Sequence, residues 1–124
     1  FGLVEQVLWL NWVEDTTNLL SALDVFVSPS HSESFGLATL EAMANQTAIV
    51  STETDGAKEL LQNNESGLLV GINEPVQMAE EICKVLADKN LRTEFGENAA
   101  NTAKEKFSLD KMINETEKLY QSLV

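Results

Sequence analysis

Positive charge is scarce in this sequence. Its 124 residues hold eight Lys and Arg against 20 Asp and Glu, a formal net charge of −12. That balance argues against nucleic acid and against an anionic membrane surface as partners, because both are polyanions. The distribution says more than the sum: no Lys or Arg precedes Lys58. A phosphate held by the first half must rely on backbone amides and a helix dipole, or on basic side chains from outside this sequence. Cysteine is nearly absent as well. Cys83 stands alone, which excludes an internal disulfide and suits a reducing compartment. It falls in the run Val76, Ala79, Ile82, Cys83 and Leu86, whose helical spacing predicts a buried, inert thiol. No apolar run is long enough to span a bilayer, no stretch has the pattern of a signal peptide, and no repeat or low-complexity segment is present. His31 is the only histidine. With no carboxylate spaced to orient it, a solvated loop residue is favoured over a general base or a phosphate ligand. Glu53, Thr54 and Asp55 resemble a metal-binding acidic stretch, yet nothing else supplies a metal shell, so no metal site is expected.

What is present fits one domain. Val7 to Val13 (VLWLNWV) is apolar and β-prone and predicts a first strand, with Trp9 in its buried middle. Trp12, at the strand's carboxyl end, is left open between core and ligand contact. Glu14, Asp15 and Thr16 then read as a helix entry leading to Leu19, Leu20 and Leu23. Further strands are expected at Asp24 to Val27, Thr47 to Thr52 and Leu68 to Val70. Between them come a helix from about Gly36 to Ala44, a loop at Glu53 to Gly56 with a turn glycine, and a short helix through Glu59, Leu60 and Leu61. The remainder, about 75–124, reads as helices. Pro75 opens the first, Phe95, Ala99 and Ala103 share a face of the second, and Ser108 caps the last. Met112, Ile113, Leu119, Tyr120 and Leu123 give that last helix an apolar face able to self-associate if nothing covers it. Alternating strands and helices imply an α/β fold, a Rossmann-like parallel sheet with flanking helices. Its ligand cleft would be lined by Trp12 to Asp15, Ser28 to Phe35 and Thr52 to Gly56.

The densest chemistry lies in Ser28 to Ala44, SPSHSESFGLATLEAMA. Pro29 ends a strand, Ser32 or Ser34 is placed to cap a new helix, and the amides of Phe35, Gly36 and Leu37 precede the first helical bonds. Such a helix start favours phosphate. Glu33 falls in the loop. Glu41 falls one turn after Leu37, at the border of the apolar face, where it either accepts a bond from a neighbouring group or takes two hydroxyls of a ligand such as a ribose diol.

These residues resemble a known family. VFVSPSHSESFGLATLEAMA, then AIVSTETDGAKELL and SGLLV, are similar to the C-terminal half of GT4-type retaining glycosyltransferases of the GT-B double-Rossmann fold. Glu33 and Glu41, with seven residues between them, match that family's E-x7-E signature. The resemblance implies that Glu41 holds the ribose hydroxyls of a nucleotide-sugar donor and that Glu33 contacts the donor sugar as the catalytic carboxylate. It implies that the amides at Ser34, Phe35, Gly36 and Leu37 meet the sugar and distal phosphate, and that the Val13 backbone reads the nucleobase. It also implies no required cofactor, a UDP- or GDP-sugar as substrate, and a retaining transfer to a glycan or lipid-linked acceptor, as in surface polysaccharide or lipopolysaccharide biosynthesis. The location implied is cytoplasmic, or peripheral at the cytoplasmic face of a membrane. Departures occur at Asn45, Gln46 and Thr47, where Gly-x-Pro is usual, at Asp55-Gly56 for Gly-Gly, and at Leu10-Asn11, where glycine is usual. The family's basic pair that grips the pyrophosphate would lie upstream of Phe1, together with the acceptor-binding N-terminal lobe. The chain is therefore expected to be a piece truncated on its N-terminal side and inactive alone. Two other readings remain at this point: a nucleotide-sugar 2-epimerase of the same fold, and a non-catalytic α/β interaction domain using its last helix.

Overall fold

The computed structural model describes residues 2–123. Three strands, β1 (Val25–Ser28), β2 (Ala48–Thr52) and β3 (Leu68–Val70), form a parallel sheet in the order β1-β2-β3. Phe26 pairs with Ile49 and Ser51 with Leu69. Each strand continues into a helix: α2 (Leu37–Ala44) after β1, α3 (Asp55–Leu60) after β2 and α4 (Pro75–Ala87) after β3. α1 (Thr16–Ser21) precedes the sheet, and α5 (Lys89–Lys106) and α6 (Leu109–Ser122) close the chain. This is the expected Rossmann-like α/β layer, and its connections obey the rule that parallel strands need a crossover, here helical.

The middle strand shows why the layer holds. All five residues of β2 are buried, and alternation sends their side chains to opposite faces. Ile49 joins Leu20, Met43, Leu60 and Ala99 in one cluster, while Ala48 and Val50 join Leu68, Met78, Val85 and Phe95 in the other. A strand covered on both faces tends to an apolar run, and β2 has one over Ala48, Ile49 and Val50, followed by buried Ser51 and Thr52, whose hydroxyls donate to backbone carbonyls. β1 is half-buried at every residue, as an edge strand would be.

Four expectations fail here. Val7 to Val13 forms no strand, and Trp9 is 89% exposed instead of core. A strand needs a hydrogen-bonded neighbour, and among the described residues none lies beside this segment. Gly56 is not a turn glycine: Thr54 accepts from the Ala57 amide, and α3 begins at Asp55. The seam assigned to α4 is its outer side except at Ile82, which is half-buried against the core. Val76, Ala79, Cys83 and Leu86 are exposed, whereas Met78 and Val85 are buried. Cys83 is therefore not a core thiol. Nor do Ser32 or Ser34 cap α2, whose N-cap is Gly36 with no side-chain bond. Ser108 does cap α6, accepting from the Lys111 amide. Leu109, Met112, Leu119 and Tyr120 on α6 are exposed. Among the described residues no helix is long and apolar enough to cross a membrane.

Met43 is fully buried, so Met43→Ala should lower the unfolding free energy by about 2–5 kcal/mol. Leu119→Ala on exposed α6 should change it by less than about 0.5 kcal/mol. Urea midpoints of the two variants check the contrast.

Candidate functional site

The loop that carries Glu33 is held from below by the end of β2 and the start of α3. The Thr52 hydroxyl donates to the Ser30 carbonyl at 2.5 Å, and the Gly56 amide donates to the Glu33 carbonyl at 3.0 Å. Gly56 lies so close to Phe35 that a Cβ on it would stand 2.4 Å from the Phe35 carbonyl oxygen. Only a residue without a side chain fits beneath that peptide. Phe35 is in turn held on its other side, edge-on against Phe107 with ring centroids 5.8 Å apart.

Gly36 makes the corner. Its φ of 97° lies in the left-handed region, which glycine enters without strain. The turn it makes starts α2 abruptly. The first helical bond runs from the Leu40 amide to the Gly36 carbonyl at 3.0 Å, so the amides of Leu37, Ala38 and Thr39 precede any helical acceptor. Among the described residues, none of the amides from Ser34 to Thr39 donates to another protein group. The helix start is therefore as open as the sequence implied, though reached through glycine, not a serine cap.

Glu41 lies one turn into α2, on the side of exposed Leu37. Its carboxylate Oε2 accepts from the Thr16 hydroxyl at 3.2 Å. Thr16 opens α1, directly after the Asp15 side chain that caps the Thr17 amide. Val13 is half-buried three residues earlier, so its backbone lies within about 10 Å of Thr16. The structure thus ties Glu41 to the segment carrying Val13, and ties Glu33 to the β2–α3 turn. Sequence reasoning named Thr16 in a helix entry and Thr52 and Gly56 at the ends of a cleft loop, but gave none of them a positioning role. A glycine after an acidic residue reads as a turn, and a threonine at a helix start reads as a cap.

Besides a cavity of about 580 Å³ lined by Glu41, Leu37, Leu40 and Lys104, two more flank these residues. One of about 380 Å³ sits at the carboxyl ends of the strands and is lined by Pro29, His31, Thr52, Asn73 and Glu74. His31 itself is exposed, in keeping with a solvated loop residue. The other, about 540 Å³, lies beside the start of α2 and includes Phe35, Leu37, Lys106 and Lys111. These lysines, distant in sequence, bring positive charge near a region that has none of its own. Lys111 is 3.9 Å from Glu115. Among the described residues, no three His, Cys, Asp or Glu side chains gather as a metal ion requires.

The sequence model of the family described as glycosyl transferases group 1 matches residues 1–102. The chain belongs to that family. It is 32% identical over 123 residues to a lipopolysaccharide core biosynthesis mannosyltransferase, LpcC, of Rhizobium leguminosarum, covering 99% of this chain and 35% of that protein. The chain thus spans about a third of the length of the curated relatives it matches. Among solved structures, the C-terminal domain of the group 1 protein LpcC from Francisella tularensis matches with a TM-score of 0.77 and 30% identity, over 87% of this chain and 57% of that one. Alr3699/HepE of Anabaena, in complex with UDP and glucose, matches with a TM-score of 0.91 and 25% identity, over 98% of this chain and 33% of that one. The Rossmann-like sheet of this family member is that of a C-terminal GT-B domain.

The contact beneath Phe35 is open to test. Gly56→Ala should destabilise the protein by about 1–3 kcal/mol, and amide hydrogen exchange should quicken from Glu33 to Leu37, measured against Lys58→Ala as an exposed control on the same helix.

Proposed function

We propose that this chain is the donor-binding domain of a retaining GT4-type glycosyltransferase, which holds a nucleotide sugar at the start of α2 while the rest of the protein brings the acceptor. The observation that carries the reading is the pairing of an open helix start with Glu41, a carboxylate fixed beside it by Thr16. A nucleotide sugar offers a complement to each part. Its diphosphate suits the unpaired amides and the positive end of the helix dipole. Its ribose diol suits a carboxylate, which has about four lone-pair positions and accepts from two hydroxyls at once. The base would then lie toward Val13, and the donor sugar toward Glu33.

In a retaining transfer the bond between the anomeric carbon and the diphosphate breaks, and negative charge grows on the leaving diphosphate. Preorganised donors aimed at that charge lower the barrier. The amides of Phe35, Gly36 and Leu37 would contribute here, with basic side chains supplied from an N-terminal lobe. The donor sugar's hydroxyls would donate to the Glu33 carboxylate, whose backbone is held by the Gly56 amide. A UDP-sugar is the first donor to examine, because Alr3699/HepE was solved with UDP and with UDP-glucose. GDP-sugars follow, in view of the mannosyltransferase relative. Relatives in lipopolysaccharide core and capsule synthesis support a glycan or lipid-linked acceptor and a cytoplasmic place of work, including the cytoplasmic membrane face. The exposed apolar face of α6 and the segment Val7 to Val13 would be covered by that N-terminal lobe, with self-association as the competing cover.

Calorimetric titration of UDP, GDP and ADP tests the reading. One of them should bind the chain weakly, Glu41→Ala should reduce its affinity by about tenfold or more, and transfer should require the complete protein. Unchanged affinity in Glu41→Ala would remove the role given to Glu41.

A further inference from the structure

We infer that Thr16 is a positioning residue for ribose recognition, holding Glu41 in the rotamer that meets the diol. The inference rests on the donor-binding reading above and adds a residue to it.

Three side-chain hydrogen bonds join the short helix α1 to the α2 end of the fold. The Thr16 hydroxyl donates to Glu41 Oε2 at 3.2 Å, the Ser21 hydroxyl lies 3.2 Å from Asn45 Oδ1, and the Thr47 hydroxyl donates to the Leu20 carbonyl at 3.0 Å. Asn45 also donates its amide to the Glu41 carbonyl at 2.8 Å. Two of these bonds lie at the far end of α1 and hold the helices together. The Thr16 bond alone reaches a carboxylate that faces solvent.

That bond is dispensable for folding, since both helices are held elsewhere and Leu20 is buried between them. Its effect falls on Glu41. An exposed glutamate samples several rotamers, and a ligand that requires one of them must bear the ordering entropy. Thr16 restricts that freedom before the ligand arrives. It occupies one lone-pair position on Oε2 and leaves Oε1 wholly open, so the carboxylate keeps capacity for two ligand hydroxyls. Because Thr16 follows Val13 within one short segment, the same bond fixes the spacing between the backbone assigned to the base and the carboxylate assigned to the ribose.

The test uses the nucleoside diphosphate, UDP or GDP, that binds the protein more tightly, together with its 2′,3′-dideoxy analogue. Thr16→Val keeps the shape and removes the donor. It should weaken the parent ligand by roughly three- to tenfold and leave the dideoxy analogue unchanged. Thr16→Ser should restore the parent affinity. Ser21→Ala, which loosens the other end of α1, should lower the melting temperature without altering the ratio between the two ligands. Equal weakening of both ligands in Thr16→Val, or no weakening of either, would overturn the inference. If Glu41→Ala leaves the parent affinity intact, the donor-binding reading itself is wrong. If Glu41→Ala removes binding while Thr16→Val does nothing, only the role of Thr16 is lost.

Discussion

The approach of Gly56 to the Phe35 peptide is the contact on which the site depends. A Cβ at position 56 would stand 2.4 Å from the Phe35 carbonyl oxygen, far inside van der Waals contact, so the loop after β1 can rest on α3 only because the side chain is missing. Resting there, the loop gains the bond from the Gly56 amide to the Glu33 carbonyl. Gly36 then has a fixed platform from which to turn at φ 97°. Loops are usually the mobile parts of a fold, and functional side chains on them need a rigid support. Here one amide, one missing methyl group and the Thr52 hydroxyl provide it.

From that platform the two glutamates acquire different tasks. Glu33 is placed by its own backbone, through the β2–α3 turn. Glu41 is placed by its helix and by a hydroxyl from α1. The two supports come from opposite sides of β1 in sequence, which suits the proposed ligand, long enough to reach from the segment before α1 past Glu41 to the start of α2. The acidic character of the chain then has a consequence. At a net charge of −12 this chain offers no long-range attraction for a diphosphate, so in the proposed site short-range amide donors, with basic side chains from outside the chain, would carry its recognition. Lys104, Lys106 and Lys111 line the cavities beside the start of α2.

The sheet and the order of its helices were legible because β2 opens with the apolar run Ala48, Ile49 and Val50 and because Pro75 and Ser108 mark helix starts by their chemistry. The α2 start was legible as an open helix end, although the choice between serine and glycine caps was not, since both chemistries serve and only backbone dihedrals separate them. The α4 seam failed for a plain reason. Met78, Ile82 and Val85 repeat with helical spacing, and so do Val76, Ala79, Ile82, Cys83 and Leu86; the stripes share Ile82, and periodicity alone cannot say which of them meets the sheet. The segment Val7 to Val13 failed for another. Its composition is that of a strand, but strand formation depends on a neighbour, which composition does not specify. The Gly56 contact and the Thr16 bond lie between residues 21 and 25 positions apart in sequence, and no local pattern announces such pairs.

The central claim is that the start of α2, Glu41 and the segment before α1 form one nucleotide-sugar site. An NMR titration of the chain with UDP-glucose and then GDP-mannose, followed through backbone amides, addresses it directly. The account predicts that one donor shifts the amides of Ser34 to Thr39 together with those of Val13 to Thr16. Shifts confined to His31, Asn73 and Glu74 around the cavity at the strand ends, with the α2 start unmoved, would contradict it.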